Sequence, residues 1–147
     1  MSVSYLVYVS AAKRGLNAAD LEAILDESRA YNAEHDISGL LIFAGSKSGG
    51  PGSFMQALEG DAKEIETLRA RIFADPRHHT KVVLERGEKP SRDFADWSMA
   101  FKSVSASDLD EHPAFKDLGE AHFLDRCGRD GAEGALRFLC EFWNAAS

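Results

Sequence analysis

Strand-like and helix-like periodicities follow one another along this chain in a fixed alternation, and few folds accept the order in which they come. Tyr5–Ser10 is β-branched and aromatic and reads as a first strand. Asn17 then precedes a helical pattern with Leu21, Ile24, Leu25 and Ser28 on one stripe, with Asn17 placed to cap it and Asp20 and Glu22 in its first turn. Ile37–Ala44 is a second, mostly apolar strand, and Ser53–Gly60 a third. Between them lies GSKSGGPG, residues 45 to 52, which suits a long flexible hairpin tip and no regular element. Asp61, with Glu64 three residues on, can cap a second helix that carries Ile65, Leu68 and Ile72 and ends near Pro76. Thr80–Arg86 is a fourth strand and Phe94–Lys102 a fifth, with Trp97, Met99 and Phe101 on one face. The order β-α-β-β-α-β, plus one more strand, is the ferredoxin-like arrangement of an α+β domain, whose two helices share one face of the sheet.

The chain is long enough for a proper core at 147 residues, and its composition, 44% hydrophobic and 28% charged, is that of a folded soluble domain. A formal net charge of -7 opposes a nucleic-acid surface or an anionic membrane as partner. No apolar run is long enough to span a bilayer, and MSVSYLVYVS lacks the basic start and cleavage site of a signal peptide. Cys127 and Cys140 are too few and too far apart for a zinc site or redox pair, so they read as free thiols in a reducing cytoplasm. The adjacent His78 and His79 have too few ligand companions to make a metal site. Two further helical patterns close the chain, near Ser107–Phe123 and over Ala132–Ala145. The second is apolar nearly all round (Leu136, Phe138, Leu139, Phe142, Trp143) and has to be buried, on the open face of the sheet or against another subunit.

Hydrogen-bonding side chains stand where the periodicities call for apolar ones. Gln56 shares a strand face with Phe54 and Leu58. Asn32 continues the stripe of the first helix beyond Ser28. Asp75 continues that of the second, with Arg71 beside it, and Tyr8 alternates with Leu6 on the first strand. Each has a plain structural explanation by itself. Together they fit a planar, partly polar ligand between the two helices, held by apolar walls with amide, carboxylate and guanidinium groups at its edge.

The segments LVYVS at 6–10, ESRAYNAEHDISGLL at 27–41, SFMQALEG at 53–60, RIFADPRHH at 71–79 and FADWSMAF at 94–101 resemble, in order and spacing, those of the BLUF domain, a blue-light sensor that uses FAD. The resemblance covers about residues 3 to 103. It implies a photosensory domain over 1–103 and a helical extension over 104–147 for output or oligomerisation, with the flavin between the helices and the extension on the opposite sheet face. It makes Tyr8 the donor of an electron and a proton to the photoexcited flavin, and Gln56 the bridge between phenol and flavin. Asn32 would hold the ring edge, and Arg71 and Asp75 its polar side. Ile24 and Ile72 would pack its two faces, with Ser28 and Phe54 alongside. Arg77 and His78 would stand near the outer end, where ribityl and phosphates emerge. Trp97 and Met99 would carry the signal out.

An amide suits the bridging role because its donor and acceptor ends are almost equal in size. Reversing it changes the hydrogen bonds with little change in packing, which would give the flavin carbonyl a new hydrogen bond and a small red shift. The resemblance further implies signalling through an oligomer or a separate partner protein, with no catalytic output domain. The competing readings are a flavin oxidoreductase, against which stands the lack of a G-x-G-x-x-G fingerprint after a strand, and an interaction module without cofactor. Four departures from the family pattern stand out: the long 45–52 tip, Asp36 where glycine is common, Tyr31 where a second asparagine is frequent, and Met55 for a common leucine.

Overall fold

The computed structural model describes residues 3–45, 52–95, 100–105 and 137. Its elements are β1 (Val3–Ala12), α1 (Ala18–Glu34), β2 (Ser38–Gly45), β3 (Ser53–Gly60), α2 (Ala62–Phe73), β4 (His78–Lys89) and β5 (Ala100–Ser105). The first four strands form an antiparallel sheet in the order β4-β1-β3-β2, as the β-α-β-β-α-β order requires, and β5 lies parallel to β2 at the edge. Most of the 45–52 tip, all of Trp97 and Met99, both cysteines and, but for Arg137, the two C-terminal helical patterns fall outside the described residues.

Local chemistry explains the helix boundaries. Asn17 caps α1 through a reciprocal pair: its Oδ1 accepts from the Asp20 N–H at 2.8 Å, and the Asp20 carboxylate accepts from the Asn17 N–H at 3.1 Å. Asp61 caps α2 by accepting from the Lys63 N–H at 3.1 Å. Glu64 does not complete a box there, because its carboxylate faces His35 Nδ1 at 2.8 Å and ties α2 to the end of α1. Pro76 lies just past the end of α2. Asp36 adopts φ 55, the left-handed region that favours glycine, two residues before β2 begins. Arg92 steadies it, donating to the Asp36 carbonyl at 2.7 Å and pairing with its carboxylate at 3.3 Å.

β1 runs Val3–Ala12, two residues beyond Tyr5–Ser10 at each end, and β4 and β5 also differ from their sequence pattern. β4 runs His78–Lys89, beyond Thr80–Arg86 at both ends, because β1 continues to offer ladder partners from Ala12↔His78 to Val3↔Lys89. β5 starts at Ala100 and not at Phe94. The amide N–H groups of Asp93 and Phe94 are taken by the Glu59 carboxylate, at 2.9 and 2.6 Å, so that stretch is a bend and not a ladder.

Leu6, Tyr8, Leu41, Phe54 and Leu58 face the helices and pack with Leu25 of α1 and Ile65 and Leu68 of α2. The alternate residues of the same strands, Val7, Val9, Leu40, Ile42 and Met55, are fully buried on the opposite face. Each such side chain contributes roughly 1.5–3 kcal/mol by leaving water. Among the described residues no helix is long and apolar enough to cross a membrane. β2 and β3 approach so closely that a Cβ on Gly39 would stand 2.2 Å from the Ala57 carbonyl oxygen. Gly39→Ala should therefore lower stability by about 1–3 kcal/mol or more, since the obstacle is backbone and cannot swing away. A urea midpoint equal to that of the unmodified chain would show that the strands can separate without cost.

Candidate flavin site

The site begins with strand register. β1 and β3 pair so that Tyr8 and Gln56 stand directly opposite each other on the helix-facing side. Both are buried, at 3% and 4% exposure, and the Tyr8 hydroxyl donates to Gln56 Oε1. This bond satisfies two polar groups that would each be costly to bury alone. Burial pushes the Tyr8 phenol pKa far above its usual value, and the Asp75 charge adds to the rise. The phenol is therefore neutral throughout the physiological range.

The chain after α2 supplies the charged wall. Arg77 holds Asp75 through its Nε, 3.0 Å from each carboxylate oxygen, and through Nη2, and its backbone N–H donates to Asp75 Oδ1 at 2.9 Å. The same Nη2 reaches Glu27 of α1 at 2.7 Å, so Arg77 ties the segment after α2 to α1. Burial alone would raise the Asp75 pKa. The hydrogen bonds and charge of Arg77 outweigh it and hold the carboxyl below the usual carboxylate range. The bonds to Asp75 raise Arg77 in turn, despite its partial burial.

His78 is buried at 7% exposure, deeper than the outer-end position expected for it. Its Nε2 lies 2.9 Å from the Ile72 carbonyl oxygen and its Nδ1 2.6 Å from Ser10 Oγ. A carbonyl only accepts, so Nε2 carries the proton and Nδ1 accepts from the serine hydroxyl. The neutral ring thereby fixes the end of α2, and Ile72 with it, to β1. It also packs near Tyr8 and Phe54, each with ring centroids 6.1 Å away.

A cleft between the helices and the sheet gathers these groups. Tyr8, Ile24, Ser28, Leu41, Phe54, Gln56, Ile72, Asp75, Arg77 and His78 line it, around about 410 Å³ of open space with its mouth included. Leu41 was not anticipated. The alternation of β2 puts it on this face, and its position directly opposite Gln56 needs the register of β2 against β3. Two expected residues do not line the cleft. Asn32 is 1% exposed in the last turns of α1; the residue has a partner in the protein, although its Oδ1 accepts no hydrogen bond from it. Arg71 is exposed, with its guanidinium 4.8 Å from the centre of the Tyr31 ring, which stacks on His35 at 4.0 Å. Among the described residues no three histidine, cysteine or acidic side chains converge as metal ligands would.

The chemistry of this lining fits a flavin. Ile24 and Ile72, from different helices, offer apolar walls, and the Tyr8–Gln56 pair sets a redox-capable phenol and a two-ended amide between them. Such a site on a ferredoxin-like sheet defines a class, the flavin-binding photosensory domains. The chain belongs to the BLUF family, sensors of blue light using FAD, whose sequence profile matches residues 3–100.

Its relatives fall into two groups. The photoactivated adenylate cyclase subunit alpha of Euglena gracilis is 30% identical over 115 residues, which are 77% of this chain and 10% of that protein. The beta-like protein FB of the same organism is 36% identical over 87 residues, or 59% of this chain and 9% of that one. This chain thus spans about a tenth of the curated relatives it matches. Two solved structures match nearly end to end. The dark-state structure of the BLUF protein BlrB is 26% identical, with a TM-score of 0.73 over 99% of this chain and 98% of that one. The photo-activated state of BlsA is 28% identical, with a TM-score of 0.70 over 99% and 94%.

His78 gives this site a measurable pH signature. Burial lowers its pKa from the ordinary 6.5, so below that pH the unfolded chain binds a proton that the folded chain still refuses. The unfolded state then carries more protons, and stability falls as pH falls. The urea midpoint of the unmodified protein should drop between about pH 7 and about pH 5.5, and His78→Gln should flatten that drop. An identical slope in the variant would assign the effect to another group.

Proposed function

We propose that the chain is a blue-light switch in which Tyr8 and Gln56 perform the photochemistry and β5, with the segment beyond it, carries the result outward. The observation that carries this reading is the buried hydrogen bond from Tyr8 to Gln56 at the floor of the cleft. The flavin, when bound, supplies blue-light absorption and an excited state that takes up an electron. Tyr8 gives that electron. Its phenol is neutral before the event, so electron loss is coupled to loss of the hydroxyl proton along the bond to Gln56. When both return, Gln56 is left with its donor and acceptor ends exchanged, whether by rotation or by tautomerisation. Asn32, Arg71 and Asp75 serve the ring's polar edge, Ile24 and Ile72 its faces, and Ser28, Phe54, Arg77 and His78 its remaining surroundings.

The outward path follows the sheet. Gln56 stands opposite Leu41 on β2, and Leu41 stands opposite Phe101 on β5. A changed amide is thereby felt two strands away, in the strand that follows Trp97 and Met99. Residues 104–147 form the output extension on the second sheet face, a reading supported by the full burial of Val7, Val9, Leu40 and Ile42 there. The apolar pattern at 132–145 supports assembly into a homo-oligomer or docking of a signalling partner.

Tyr8→Phe removes the electron and proton donor while keeping the ring that packs beneath the cleft. The variant should bind FAD and lose the light-induced red shift entirely. A normal photocycle in Tyr8→Phe would refute the assignment.

A further inference from the structure

On the sheet face opposite the cleft, a second buried polar group stands on the switch strand. Glu59 is 1% exposed, three residues beyond Gln56 on β3. Its Oε1 accepts from Ser38 Oγ at 2.9 Å and from the Phe94 N–H at 2.6 Å. Its Oε2 accepts from the Asp93 N–H at 2.9 Å and from Lys89 Nζ, which is itself only 12% exposed. Arg92 closes the ring by donating to Ser38 Oγ at 2.9 Å. A lone buried carboxylate is costly, and here it is met by donors on both oxygens. Those donors come from β2, from the end of β4 and from the backbone that follows it.

The placement gives this carboxylate more than a packing role. The bend at Asp93 and Phe94 leads from β4 towards β5, and Phe94 is buried at 2% exposure. β5 is therefore referred to β3 at two points. One is the cross-strand row from Gln56 through Leu41 to Phe101. The other is the Glu59 carboxylate, which hangs the approach to β5 from the same strand. With both points tied to β3, a displacement there moves β5 as a body. With the second point cut, the approach slackens and absorbs the displacement.

We propose that Glu59 is the positioning residue that couples β5 to the Gln56 strand, by holding the backbone of Asp93 and Phe94 against β3. The inference rests on the photosensor reading for its light dependence and on geometry alone for its dark-state part. Glu59→Gln tests it. The amide keeps one accepting oxygen for Ser38 and Phe94, but its NH₂ end cannot accept from Asp93 or Lys89.

Hydrogen exchange followed by mass spectrometry on the full FAD-loaded chain, dark and under blue light, reads both parts. In Glu59→Gln the flavin spectrum and its red shift should persist. Exchange at Asp93 and Phe94 should accelerate in the dark, and the light-minus-dark difference across Ala100–Ser105 should be lost. Lys89→Met, which removes one donor and leaves the carboxylate, should change both in the same direction and less, and it serves if the glutamine variant does not fold. Unchanged dark exchange at 93–94 in the variant that folds overturns the proposal, even if no light response is found. So does a light-minus-dark difference that survives the loosening of those amides, or one that is absent from a wild-type chain whose flavin shifts. A wild-type chain whose flavin does not shift refutes the photosensor reading instead.

Discussion

The hydrogen bond between Tyr8 and Gln56 depends on a register that the rest of the sheet enforces. β1 and β3 pair without slippage from Ser4↔Gly60 to Ala11↔Ser53. A one-residue shift would turn Tyr8 and Gln56 to opposite faces and send Val7 and Val9 into the cleft. Burial on both faces of β3 makes such a shift prohibitive, because every residue of that strand would exchange environments. The fold thus places one phenol and one amide with the certainty of a core, although neither side chain is apolar.

Around that bond the molecule spends charge in two places, with different consequences. At the cleft, Asp75, Arg77 and Glu27 form a partly exposed chain in which two carboxylates share one guanidinium. Exposed pairs contribute little stability, and their worth here lies in fixing where the wall stands after α2 ends. Behind the sheet, Glu59 is almost fully enclosed and its donors include two backbone amides. There the geometry is obligatory, because a buried carboxylate that loses its donors is expensive. The first network shapes the space for a cofactor, and the second shapes the chain that leaves the sheet.

Much of this could be read from periodicity. Alternation on β3 put Gln56 with Phe54 and Leu58, and the cap at Asn17 was visible three residues before Asp20. What escaped were features made by residues distant in sequence. Nothing in the sequence around Glu59 marks it, because its donors lie 21 to 35 residues away. FADWSMAF has the aromatic character of a strand throughout, yet its first amide is used by that carboxylate, so the ladder starts later. The resemblance puts His78 near the outer end of the site, and only the pairing of β4 with β1 shows it turned inward to Ser10. The ring of Tyr31, 4.8 Å from the Arg71 guanidinium, is a neighbour that helix spacing does not reveal.

The most direct measurement is the absorption spectrum of the purified chain with FAD, in darkness, during blue light and in darkness again. If Tyr8 and Gln56 exchange hydrogen bonds without net reduction, the flavin bands move slightly to the red, keep their intensity and return. Bleaching of those bands under light would mean that the electron stays on the cofactor, and it would contradict the account of a switch that resets itself.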